Sequence, residues 1–236
     1  MKALITWGGW PGHEPELVAD LFRRMLEAEG MEVTLTDSLD AFDDAEGLRS
    51  LDLIVPVWTM SELSRERATN VSEAVARGTG IAGCHGGMCD AFRGNPLWQF
   101  VTGGQWVAHP GGDGIRYTVR MTEPGHELIQ GIGDFEVETE QYYLHVDPAN
   151  RVLATTTFPT VGWYHSPNGT VEMPVAWTRQ WGLGRVYYNA LGHKANVIAE
   201  GAPYEMLRRG LVWAARGKAL AEGQGVDQFQ SAGNHG

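Results

Sequence analysis

Apolar and polar positions along the chain switch between two periods, and each switch marks an element. Ala3 to Trp7 is a short apolar run, Gly8-Gly9-Trp10-Pro11-Gly12-His13 follows it, and Leu17, Val18, Leu21, Phe22, Met25 and Leu26 then recur at helical spacing. The pattern predicts a strand, a loop and an amphipathic helix. Val33 to Thr36 reads as a second strand and Leu51 to Trp58 as a third, with a helix over Arg65 to Arg77. Gly80 to Cys84 is the fourth strand. Strands alternating with helices predict a parallel sheet with right-handed crossovers, whose loops at the carboxyl ends of the strands share one crevice. His13, Trp58 and His85 are expected on those loops.

The second half has a different texture. Trp106 to His109, Ile115 to Met121, Glu136 to Tyr143 and Val152 to Thr157 read as strands, and Val175 to Thr178 with Arg185 to Ala190 reads as a hairpin. A helix from Tyr204 to Ala215 closes the pattern after Gly201-Ala202-Pro203. No polar or Pro/Gly-rich linker interrupts the chain, so residues 1–218 are expected as one domain. Residues 219–236, rich in Gly, Gln, Ser and Asn, are expected as a disordered tail.

The fourth strand runs into Gly83-Cys84-His85-Gly86-Gly87, the grammar of a strand-to-helix elbow whose flanking glycines lift one side chain above the sheet. Counting from Gly83 and Gly87 puts His85, not Cys84, at the apex. A histidine there serves as acid, base, metal ligand or hydrogen-bond donor, but does not do thioester chemistry. His109, in Trp106-Val107-Ala108-His109-Pro110, and His193, in Leu191-Gly192-His193, also follow predicted strands. Glu140 and Tyr142 stand two apart on a predicted strand and therefore face one side together. His126, His145 and His165 read as structural. Trp7, Trp10, Trp58 and Trp106, among nine tryptophans, are placed to stack on a sugar face or to pack in the core and at its rim.

Composition narrows the chemistry. The 236 residues carry 18 basic and 29 acidic side chains, a formal charge of −11, and no Lys/Arg cluster, which argues against nucleic acid and anionic lipid as partners. Two cysteines at this spacing make neither a disulfide framework nor a zinc knuckle. The absence of a signal sequence and of an apolar run of membrane-spanning length predicts a cytoplasmic protein. No short metal spacing is present, so a divalent ion such as zinc would have to be gathered from distant loops. No P-loop or dinucleotide fingerprint is present either.

Six segments, in order, resemble the trehalose-utilisation (ThuA-like) family: Trp7-Gly8-Gly9-Trp10-x-Gly12-His13, Pro56-Val57-Trp58-Thr59-Met60, Gly80 to Met88, Gly103 to Pro110 around Trp106 and His109, Glu140-x-Tyr142, and Gly184 to His193. The resemblance spans residues 3 to 216. It implies a flavodoxin-like α/β fold of the class I glutamine amidotransferase type, a mostly parallel sheet flanked by helices, with extra strands in the second half. It also implies that amidotransferase chemistry is absent, because those enzymes carry cysteine where His85 stands. The family is associated with disaccharide and glycoside catabolism. Its usual Asp-Glu pair is Thr139-Glu140 here.

The expected function is a carbohydrate-catabolism enzyme acting on a sugar, glycoside or keto-sugar by acid–base chemistry, through isomerisation or elimination. His85, Glu140 and Tyr142 are the expected catalytic residues. His13, Trp10, Trp58, Trp106, His109 and His193 are the expected substrate contacts. Two alternatives stand beside this: a non-catalytic carbohydrate-binding or sensing protein, and a metal-dependent hydrolase using His13, His85, His109 or His193 as ligands. A homodimer is the default assembly.

Overall fold

Eleven strands and six α-helices follow one another over residues 1–229, the part of the computed structural model described below. The first half is β1 (Lys2–Gly9), α1 (Pro15–Ala28), β2 (Glu32–Thr36), α2 (Ala45–Ser50), β3 (Leu53–Thr59), α3 (Arg65–Ala76), β4 (Gly80–Cys84) and α4 (His85–Cys89). The second half is α5 (Pro96–Thr102), β5 (Gly104–Ala108), β6 (Ile115–Met121), β7 (Phe135–Thr139), β8 (Tyr143–Val146), β9 (Arg151–Phe158), β10 (Val171–Trp181), β11 (Gly184–Asn189) and α6 (Gly201–Ala221).

Nine strands form one sheet in the order β2-β1-β3-β4-β11-β10-β9-β6-β7, and β5 with β8 forms a separate ribbon. From β2 to β11 all pairings are parallel, and from β11 to β7 all are antiparallel. The parallel half is buried on both faces, as its unbroken apolar runs require: Ile5, Ile54, Val55, Ile81 and Ala82 are all inaccessible. Helix α1 turns Val18, Ala19, Phe22, Met25 and Leu26 inward. Helix α6 packs across β4 and β11.

Pro56 shapes the centre of the sheet. It sits opposite Thr6 of β1 in register, but it has no N–H to offer, and the ladder between β3 and β4 ends at Ile54 and Ile81. Beyond that point α4 lies against β3. A Cβ at Gly83 would stand 3.2 Å from the Pro56 carbonyl oxygen, and one at Gly87 would stand 3.0 Å from the Val57 Cα. The elbow glycines are therefore favoured by close backbone approach, since a side chain at either would crowd β3.

Two expectations change. The single strand expected over Glu136 to Tyr143 is two strands, β7 and β8, because β7 pairs with β6 in the large sheet and β8 pairs with β5 in the ribbon. Glu140, Gln141 and Tyr142 form the connection between the sheets rather than strand positions. The tail expected from residue 219 is ordered further: α6 continues to Ala221, Val226 is buried, and Asp227–Phe229 makes a 3-10 turn. Residues 230–236 of that expected tail lie outside the described residues. No helix among the described residues is long and apolar enough to cross a membrane.

Candidate metal centre

The carboxyl ends of the parallel strands bring their loops to one edge of the sheet, the usual crevice of such folds. His13 follows β1, Thr59 ends β3, His85 follows β4 and His193 follows β11. Glu140 arrives from the opposite direction, between β7 and β8. The three non-glycine residues with left-handed backbone among those described are Glu14, Met60 and His85, each on one of these loops. Strain of this kind collects where surrounding structure holds a functional loop in place.

His85 stands at the apex as expected, with φ of 51° and 2% exposure. The Tyr188 hydroxyl donates to its carbonyl at 3.1 Å, and Tyr142 lies flat on its ring, centroid to centroid 4.0 Å. The Tyr142 hydroxyl meets Nδ1 at 2.9 Å. Cys84 is buried one place earlier, and burial pushes its thiol up to about 12, which removes it as a nucleophile at neutral pH.

His13, His193 and Glu140 close around His85. The three imidazole centroids are 4.6, 5.2 and 5.5 Å apart, with the rings steeply inclined to one another. Glu140 Oε2 lies 3.3 Å from both His85 Nε2 and His193 Nδ1, at ion-pair distance but without hydrogen-bond alignment. Its other oxygen faces His109 Nδ1 at 3.7 Å. Tyr117 fixes the segment by donating to the Glu140 carbonyl at 2.9 Å. One donor atom from each of His13, His85, Glu140 and His193 lies within 4.8 Å of all the others.

The electrostatics suit a cation. Burial, reinforced by His85 and His193, lowers His13 to about 3, and burial lowers His85 to about 4 despite the opposing pull of Glu140. Burial works to raise Glu140, but the facing His193 and His85 outweigh it and hold the carboxyl well below its ordinary range. At neutral pH the cluster thus presents neutral His13 and His85 imidazoles beside a carboxylate, the protonation states that metal coordination needs. His85 Nε2, His193 Nδ1 and Glu140 Oε2 are buried without hydrogen-bond partners. Each such orphan costs about 1–3 kcal/mol unless something satisfies it. Imidazole and carboxylate donors in this mixture fit a divalent first-row ion such as zinc.

The expected contacts divide into three groups. His13, His85, Glu140, His193 and Tyr142 are brought together, and His109 borders them. Trp10, 42% exposed, stands edge-on to His13 and tilted over His193, so its open face flanks the cluster. Trp106 lies beside His109 under the Arg93 guanidinium. Trp58 lies within β3 rather than on the loop beyond, and its ring covers Gly8, where a Cβ would stand 2.8 Å away. Sequence reasoning missed Thr59, Tyr117, Tyr188 and Asp113. Thr59 follows Trp58 directly and Asp113 sits in the glycine-rich turn after His109, so proximity to named residues was the available signal.

Residues 2–214 match the model of the ThuA family, described as trehalose utilisation. Among solved structures, a ThuA-like protein from Bacteroides uniformis is similar at 17% identity and a TM-score of 0.74, with 91% of each chain covered. A ThuA-like protein from Parabacteroides merdae is similar at 18% identity and 0.71, covering 92% of this chain and 91% of that one. A cytoplasmic protein from Salmonella typhimurium shares the fold at 14% identity and 0.62, covering 93% and 99%. No curated protein matches the chain in sequence.

Proposed function

The chain belongs to the ThuA, trehalose-utilisation family, whose description suggests a role in carbohydrate metabolism, and on that footing we propose a metal-assisted enzyme of sugar catabolism. Its substrate is a sugar, glycoside or keto-sugar, and its chemistry is proton transfer beside a carbonyl, leading to isomerisation or elimination. The observation that carries this reading is the convergence of four donors, from His13, His85, Glu140 and His193, of which His85 Nε2, Glu140 Oε2 and His193 Nδ1 are buried without a hydrogen-bond partner.

A divalent ion held by these residues would supply Lewis acidity to a substrate oxygen. The remaining roles belong to the chain. Glu140 keeps one oxygen turned to His109, whose ring is about a third exposed, so this pair reaches outward to accept and return a substrate proton. Trp10 offers a flat apolar face beside His13 and His193, suited to the C–H face of a sugar ring. Tyr142 and Thr59 hold the ring nitrogens that point away from Glu140. In this reading His85 is a ligand. The 3.3 Å approach of His85 Nε2 to Glu140 Oε2 favours a second reading, in which those two residues form an acid–base pair without an ion.

The test combines metal analysis of protein purified without a histidine tag with incubation of glycosides and their 3-keto forms in deuterated buffer. Stoichiometric metal and chelator-sensitive deuterium uptake or product formation are expected. Turnover that survives metal removal and is lost in His85→Ala moves the chemistry to the His85–Glu140 pair. Sugar binding without any product in long incubations would make the protein a binding module.

A further inference from the structure

Each clustered histidine turns one ring nitrogen outward to a polar partner, hydrogen-bonded at His13 and His85 and facing a charge at His193, and leaves the other for the cluster. His13 Nδ1 lies 2.9 Å from Thr59 Oγ1, and His85 Nδ1 lies 2.9 Å from the Tyr142 hydroxyl. His193 reverses the order: its Nε2 faces Asp113 Oδ2 at 3.6 Å while its Nδ1 faces Glu140. The nitrogens left over are Nε2 of His13, Nε2 of His85 and Nδ1 of His193.

We propose that Thr59, Tyr142 and Asp113 are positioning residues that set the tautomer and ring rotation of these three histidines, so that three lone pairs converge beside Glu140. The inference rests on the cation-binding reading. A neutral imidazole has one N–H and one lone pair, so a proton kept on the outward nitrogen leaves the inward one free to coordinate. The Thr59 and Tyr142 hydroxyls each accept from Nδ1–H when the inward nitrogen is engaged. In the metal-free protein the same hydroxyls can donate to Nδ1, which moves the His85 proton to Nε2 and toward Glu140. The outer partner thus serves both states, and loading reverses the direction of its hydrogen bond.

The surroundings fix these partners. Thr59 is 2% exposed, and its carbonyl accepts from Trp10 N at 3.1 Å, which binds it to the loop that carries His13. Tyr142 is buried and stacked on the ring that it orients. Asp113 differs in kind: it is exposed, shares Oδ2 with Lys194 Nζ at 2.9 Å, and acts on His193 as a charge from the turn that follows His109. A carboxylate behind an imidazole raises its basicity as a ligand, and loss of such outer partners costs about 10–100-fold in metal affinity.

The test measures Zn²⁺ affinity of the full, untagged protein by competition with a chromogenic chelator. Thr59→Val keeps the shape and removes the hydroxyl, and Thr59→Ser restores it. About 10–100-fold weaker binding is expected in Thr59→Val and Tyr142→Phe, with Thr59→Ser close to the unaltered protein. Asp113→Asn, which keeps shape and loses charge, is expected to weaken binding by a smaller factor. Histidine ¹⁵N spectra of the loaded protein should show Nδ1–H at His13 and His85 and Nε2–H at His193. Unchanged affinity in Thr59→Val and Tyr142→Phe, or the opposite tautomers, overturns the positioning roles while the cation site stands. Failure of the unaltered protein to bind Zn²⁺ overturns both. If Tyr142→Phe does not fold, the Thr59→Val and Thr59→Ser pair decides.

Discussion

Gly86 lies against the imidazole of His13: a Cβ there would stand 2.6 Å from His13 Cε1 and 2.8 Å from Nδ1. Gly86 does not have the left-handed backbone that excludes other residues, so the close contact is the main obstacle to a side chain. Gly86→Ala should therefore fold and push the His13 ring out of the cluster. Zinc affinity is expected to fall by at least about tenfold, in the range of losing ligand orientation, with the far-ultraviolet spectrum unchanged. Chelator competition on both proteins checks it.

Acid should weaken the metal-free protein through the same histidines. His13 and His85 titrate near 3 and 4 in the folded chain and near 6.5 when unfolded, so the unfolded state binds more protons between these limits. Stability then rises with pH across that window and falls as pH drops from 6.5 toward 4. Each unit of difference is worth about 1.4 kcal/mol, so the loss between about pH 6.5 and about pH 5 is on the order of a few kcal/mol. Glu140, held low in the folded state, acts in the same direction below about 4.5. Thermal midpoints of chelator-treated protein from pH 7.5 to 5 should decline, and His13→Asn or His85→Asn should flatten the slope.

The cysteines should be silent. Burial pushes Cys84 to about 12 and Cys89 still higher, against roughly 8.5 for a free thiol. Iodoacetamide at pH 8 is expected to label neither cysteine in the native protein and both after denaturation, as read by mass spectrometry. Rapid native labelling of Cys84 would return thiol chemistry to the elbow.

Helix α6 offers a test of packing against propensity. Gly210 is a poor helix residue, and alanine there would gain about 1 kcal/mol of intrinsic preference. Its Cβ, however, would overlap the ring of Tyr187, which is fully buried. Overpacking typically costs about 1–3 kcal/mol and is the larger effect here. Gly210→Ala should lower the denaturation midpoint, and Tyr187→Leu in the same chain should recover part of the loss.

The sequence was most legible where one period dominated. The first four strands, α1, and the elbow with His85 at its apex follow from apolar runs, helical spacing and paired glycines, all of them local signals. The Glu140 segment reads locally as one strand, whereas the structure makes it the connection between two. A change of sheet between Thr139 and Tyr143 is decided by distant partners, β6 and β5, which leave no local mark. Thr59 and Asp113 stayed hidden for a related reason. An ordinary threonine and an ordinary turn aspartate gain meaning only from the ring nitrogen that each one faces.

Glu140 comes from the antiparallel half of the molecule, whereas His13, His85 and His193 all follow strands of the parallel half. A bound ion would therefore act as a clasp between the parallel and antiparallel parts of one continuous sheet, which otherwise meet along β11. The clasp cannot close until the segment between β7 and β8 stands against the loops of the parallel strands. Slow release of metal would accordingly report on the withdrawal of that segment from the loops, and metal retention during partial unfolding would measure how firmly it is held.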